Sequence, residues 1–428
     1  MQNKSYVPFT EEMKKDYTIL VPNMLPIHFK MLAGLFKAHG YKVELLETNG
    51  PEIAETGLKY THNDTCYPAI LVVGQLMDAL LSGKYDVNKT ALMMVQTGGG
   101  CRASNYISLL RKALKKADMP FVPVISLNFS GLEKHPGFTM SPKMLHSMIY
   151  AVLYGDLIMS LVNQVRPYEV NKNEAEQLAD KWAEKLGLEL ADTKRFSYNK
   201  VKNNYRNIIK DFADIPVVKT NKVKVGIVGE IFVKYSPLGN NDLERFLIKE
   251  GAEVVVPGLV DFCLYAIYNN ILDYKLYGMG KKTYPVWKFA YWLMNRKRND
   301  ISRLLEEGTF EGWTSFDKVT TIAQDIISVA VKMGEGWLLT SEMLELSENG
   351  CKNIVCTQPF GCLPNHICGK GMMKPIKEMH PDVNIVAIDY DAGASRVNQE
   401  NRLKLMLAGA KRNLEAANSS ENKEAVTL

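Results

Sequence analysis

The sequence predicts an α/β fold, and three observations carry that prediction. Apolar runs of strand length alternate with amphipathic stretches of helix length, the pattern of parallel strands joined by crossover helices. The alternation occurs twice, in two groups of four strands. Between the groups, from about Pro142 to Phe212, the strand signal stops and helical periodicity takes over. The expected architecture is two Rossmann-like or flavodoxin-like lobes with short parallel sheets, plus a helical connector and a helical insertion.

The first group opens with the strand Tyr17-Thr18-Ile19-Leu20-Val21-Pro22, then a helix from Ile27 to His39 that Gly40 ends. Lys42-Val43-Glu44-Leu45-Leu46 is a second strand. A helix from about Pro68 to Leu81, the strand Ala91 to Val95, a helix from Ser104 to Ala117 and the strand Phe121 to Ile125 complete the unit. The second group begins at Lys222-Val223-Lys224-Val225-Gly226-Ile227-Val228-Gly229. It continues through Glu253-Val254-Val255-Val256 and Asn353-Ile354-Val355-Cys356 and closes with Asn384-Ile385-Val386-Ala387-Ile388-Asp389. The boundaries expected are a first lobe at 1–135, a connector at 136–220 and a second lobe at 221–415, with the insertion at about 264–303 and a polar, frayed tail at 416–428.

Composition narrows the class. At 428 residues and 46% hydrophobic content the chain can build more than one core, and its 30 Gly and 18 Pro are ordinary usage, against disorder or a fibrous repeat. Apolar stretches such as Ile70 to Met77 and Ala323 to Val331 stop well short of the ~20 residues a bilayer needs, so no membrane span is expected. The first residues lack a secretory pattern, and the chain is read as cytoplasmic. A net charge of +5 with dispersed basic residues argues against nucleic acid. Lys281-Lys282 and Arg296-Lys297-Arg298 read as a solvated helix face.

Seven cysteines, an odd number in a reducing setting, point away from a disulfide framework. Three share one local context. Cys66 stands in Asn63-Asp64-Thr65-Cys66-Tyr67-Pro68, Cys101 follows Gly98-Gly99-Gly100, and Cys362 stands in Gln358-Pro359-Phe360-Gly361-Cys362-Leu363-Pro364. Each is expected at a helix start, where unpaired N–H groups and the helix dipole favour the thiolate. Loops at the carboxyl ends of parallel strands line the ligand crevice, so these cysteines can converge. Gly99 and Gly100 would let the backbone approach a bulky inorganic group closely, with N–H groups for its sulfides. A cluster site between the halves follows.

Three other readings compete. Buried cysteines often only pack. Zinc sites favour paired ligands two to four residues apart, and no Cys-x-x-Cys occurs. A phosphate loop would need a Gly-Lys-Ser/Thr end, which the triple glycine lacks. Cys263, Cys351 and Cys356 read as packing residues, on a helix, in a turn and on a buried strand. Cys356 and Cys368 are the further candidate ligands. His366 and Glu230 are the candidate catalytic groups, each against a structural alternative as helix cap or loop residue.

Taken together, Asn63-Asp64-Thr65-Cys66-Tyr67-Pro68-Ala69, Gly99-Gly100-Cys101-Arg102 and Gln358-Pro359-Phe360-Gly361-Cys362-Leu363-Pro364-Asn365-His366-Ile367 resemble the carboxyl-terminal domain of large acyl-CoA dehydratase activase-related proteins of anaerobes. The stretches Tyr17 to Met24 and Val225 to Glu230 fit it too, so the resemblance covers nearly the whole chain. That domain is distantly similar to the superfamily of 2-hydroxyacyl-CoA dehydratases, benzoyl-CoA reductases and double-cubane cluster proteins. The resemblance implies an iron–sulfur cluster between two lobes, with Cys66, Cys101 and Cys362 holding a 4Fe-4S cubane and one iron open to another ligand. A double-cubane 8Fe cluster is the alternative and would need further cysteines. The implied partner is an ATP-hydrolysing iron–sulfur activator, and the implied function a low-potential reductase or dehydratase-like component, or else a non-enzymatic electron carrier or scaffold. No acyl-CoA-binding motif maps onto the chain, which leaves the substrate as a small molecule or an acyl-CoA. A second copy of the chain is a further candidate partner.

Overall fold

The computed structural model describes residues 6–96, 100–127, 133–192 and 197–426, with side chains up to 416. Two parallel four-stranded sheets organise them. The first contains β1 (Thr18–Pro22), β2 (Lys42–Leu46), β3 (Thr90–Val95) and β4 (Val124–Leu127) in the order β2-β1-β3-β4. The second contains β5 (Val223–Gly229), β6 (Ala252–Val255), β7 (Asn353–Pro359) and β8 (Asn384–Tyr390) in the order β6-β5-β7-β8. Thr18 sits opposite Lys42 and Thr90, and Val225 opposite Val254 and Asn353. In each sheet the chain leaves the inner strand in one direction and returns on its other side. The crevice at such a switch point, between β1 and β3 and between β5 and β7, is where doubly wound folds bind ligands.

The strand sequences explain themselves. β5 and β7 are covered on both faces, so they run as near-continuous buried stretches instead of alternating. One apolar cluster joins Leu20 and Leu92 of the first lobe to Val225, Ile227 and Val355 of the second, so the lobes share a core. A second joins the second lobe to the connector helices Pro142–Val165, Glu174–Ala191 and Tyr198–Ala213.

Four features depart from expectation. The fourth strand starts at Val124 because Met119 to Val122 close a turn, with Val122 N donating to Met119 O at 3.2 Å. A helix at Pro51–Tyr60 goes unsignalled because only Ile53 and Gly57 are buried in it. The expected tail from Ala416 instead continues a helix, Arg396–Val426, whose Leu, Ala, Glu and Lys residues favour that state. Pro142–Val165 is long and apolar enough to cross a membrane, beyond the runs noted in the sequence, and 67% of its apolar window is buried inside this protein.

Candidate functional site

The three cysteines occupy equivalent local positions. Cys66 is the N-cap of the helix Tyr67–Leu81, Cys101 of the 3-10 turn Arg102–Asn105 after β3, and Cys362 of the helix Leu363–Cys368 after β7. Pro68 and Pro364, in the first turns of two of these helices, cost nothing there because those N–H groups have no helical partner. Glu230, after β5, caps Ile231–Tyr235 by accepting from Val233 N at 2.9 Å.

Tertiary contacts bring these caps together across the two lobes. Tyr67 N donates to Phe360 O at 3.0 Å. Gly361 has φ +75°, and a Cβ there would lie 3.1 Å from Cys66 Cα, so the two cysteine loops touch through backbone. The Tyr106 hydroxyl is 3.0 Å from Cys66 Sγ, and the Arg102 guanidinium donates to Asp64 O, holding the Cys66 loop against the Cys101 loop. The loop before the helix Trp337–Glu348 closes the other side. Its Met333 Sδ accepts from Gly100 N at 3.3 Å, and its Glu335 Oε1 accepts from Ile231 N at 3.0 Å.

The electrostatics follow from this crowding. Burial pushes the Cys101 thiol up to about 11, with Glu335, Glu230 and Cys66 adding to the rise. Burial raises Cys362 further, helped by Glu335, Glu230 and Cys101. Cys66 is also raised by burial, against the Tyr106 hydroxyl and the Ala69 amide. Burial and then Glu335 raise Glu230 to about 8, and burial raises Glu335, with Lys234 opposing both. The helix-start amides therefore lower the thiols as the sequence suggests, but desolvation and neighbouring carboxylates outweigh them. Five acids packed together ionise reluctantly unless positive charge enters their midst.

The remaining candidates are placed differently. Cys368 is the buried last residue of the Leu363–Cys368 helix, and burial, then Glu335, pushes its thiol up to about 11. Cys356 lies inside β7 with Sγ facing Asn365 Oδ1 at 3.8 Å, while Cys351 is buried in the turn before β7 and Cys263 lies on the helix Leu259–Tyr277. His366 stands on an exposed face. Gly99, with Gly98, lies outside the described residues. Among the described residues, no group of three or more His, Cys, Asp or Glu sits closely enough to hold a single metal ion. Sequence reading missed Tyr106 and Glu335. Glu335 carried one local signal, its position between Gly334 and Gly336, both with positive φ.

Compared with known proteins, the chain matches no protein-family model and no curated protein sequence.

Proposed function

We propose that this chain is an iron–sulfur protein, a low-potential reductase or dehydratase-like component that receives electrons from an ATP-hydrolysing iron–sulfur activator and acts on a small molecule. The observation that carries the reading is the convergence of Cys66, Cys101 and Cys362 from three loops of two lobes beside Glu230 and Glu335. The donor set fits the group. Thiolates are the soft ligands such clusters take, and buried acids that resist ionising alone accept it beside a cationic centre. When bound, a 4Fe-4S cluster with one iron lacking a cysteine would supply an electron and a Lewis-acidic position.

The protein's own residues would do the rest. Cys66, Cys101 and Cys362 would hold the group, and Tyr106 would donate its hydroxyl to Cys66 Sγ. Glu230 and Glu335, fixed by the Val233 and Ile231 amides, would supply the proton that a reduction consumes, or would give one to the leaving hydroxyl of a dehydration and regain one from the neighbouring carbon. Met333, Phe360, Leu363 and Ile367 form an exposed apolar rim around the cysteine loops, which suits docking of a partner protein. No Gly-Lys-Ser/Thr phosphate loop occurs in the sequence, so the energy for a difficult reduction is assigned to that partner.

The test is anaerobic purification with iron and sulfide assays, followed by electron paramagnetic resonance with activator, reductant and ATP. About four irons and four sulfides per chain are expected for one cubane, with reduction that requires ATP. About eight irons would favour the double-cubane form. Stoichiometric zinc without sulfide rejects the reading, and equally complete reduction without ATP makes the chain an ordinary electron carrier.

A further inference from the structure

A second site lies away from the cysteines. A crevice of about 390 Å³ opens between the lobes beside the carboxyl ends of β1 and β2, with the connector helix Pro142–Val165 as one wall and the turn from Tyr235 to Asp242 as another. Cavities of this size at the edge of a parallel sheet are ordinary places for small ligands.

Its polar lining is incomplete in one particular way. His28, 1% exposed, binds Asp156 Oδ1 through Nε2 at 2.8 Å. Asp156 also accepts from Leu259 N at 2.9 Å and Val260 N at 2.6 Å, which fits a carboxylate and places the shared proton on Nε2. The ring is seated by Gly155, where a Cβ would come within 2.2 Å of His28 Cδ2. The ring's other nitrogen, Nδ1, is buried without a hydrogen-bond partner among the described residues. Gln75, 2% exposed, repeats the pattern. Its Nε2 donates to Leu46 O and Thr48 O at 3.3 and 2.8 Å, leaving Oε1 buried without a partner. Asn23 Oδ1 is a third such atom. All three residues line the crevice.

The charges around it lean the same way. The lining carboxylates are Glu47, Glu176, Asp180, Asp242 and Glu244, against the guanidiniums of Arg166 and Arg245. Glu176 and Glu244 are paired with Arg166 and Arg245, and Asp180 with Lys30, so Glu47 and Asp242 supply the excess. Unsatisfied buried acceptors call for donors, and excess negative charge calls for a cation. We infer that this crevice binds a small organic cation of the primary-amine class, its ammonium and N–H groups meeting the amide oxygens of Gln75 and Asn23 beside His28. The inference stands apart from the iron–sulfur reading, because none of these residues belongs to the cysteine site.

The experiment is titration calorimetry of the full chain with 1,4-diaminobutane, and with butyrate as an anion of matched length. Saturable binding of the diamine is expected, with butyrate at least about tenfold weaker. Glu47→Gln, an exposed change that leaves the core intact, and Gln75→Leu are each expected to weaken the diamine by about tenfold, the size of one charge-assisted hydrogen bond. Since Gln75→Leu also removes two backbone hydrogen bonds, the nitrogen-15 resonance of His28 Nδ1 provides a second readout in the unaltered chain and should shift on saturation. The inference is overturned by no diamine binding, by butyrate binding as tightly, or by diamine binding that neither Glu47→Gln nor the His28 signal registers.

Discussion

The amide of Tyr67 donates to the carbonyl of Phe360 at 3.0 Å, tying the residue after Cys66 in one lobe to the loop that carries Cys362 in the other. Position 361 must then be glycine twice over, for its φ of +75° and for its distance from Cys66 Cα. Gly361→Ala is expected to cost about 1 to 3 kcal/mol. Gly350→Ala, at φ +81° with nothing within 4 Å, should cost less. Denaturant melts of the two variants measure the difference, and equal losses would show that the loop contact adds nothing.

The cysteines should separate by location. Alanine at Cys66, Cys101 or Cys362 is expected to abolish stable iron binding. Alanine at Cys351, packed against Leu346 and Gly226, should keep the iron and lose about 1 to 3 kcal/mol of stability. Iron retained in full by Cys101→Ala would remove that residue from the site.

Lys234 and Glu342 form a buried ion pair at 2.9 Å beneath the two site carboxylates. Lys234→Met leaves Glu342 buried without its cation and is expected to cost about 3 to 5 kcal/mol. Adding Glu342→Leu should restore much of the loss, because the hydrophobic replacement no longer carries a desolvated charge. A double-mutant cycle by chemical denaturation reads the coupling, and additive losses would mean the pair is not linked as its geometry indicates.

Stability should also depend on pH through Glu345. Burial, with Asp261 adding to it, raises this carboxyl to about 7, while Arg298 and the Thr314 hydroxyl pull it down less strongly. The folded protein therefore binds more protons than the unfolded chain between the ordinary value near 4.5 and about 7. Stability falls as pH rises through that window and stays reduced above it. Glu345→Gln should stabilise the protein by about 3 kcal/mol at pH 8 and hardly at all at pH 4. A benefit that is the same at both pH values would count against ionisation as its cause.

Local chemistry was legible where it acts over a few residues. The short, β-branched run from Val223 to Gly229, bounded by polar and glycine residues, fits a buried strand, and a Pro two residues after Cys66 and Cys362 suits the first turn of a helix. These signals placed all the strands, the fourth of them shifted by three residues at its start, and two of the three capping cysteines, while Cys101 was marked only by its place between a strand and a helix. The pairing of groups distant in sequence was not legible, because nothing in the residues around either group names its partner. Glu335 reaches Ile231 across 104 positions and His28 reaches Asp156 across 128, and only the sheet order with its shared core brings them together. The sequence likewise pointed to low thiol pKa values from helix-start amides, a short-range effect. Burial and the carboxylates Glu230 and Glu335 reverse the balance, since desolvation depends on everything packed around a group and is set only when the lobes close.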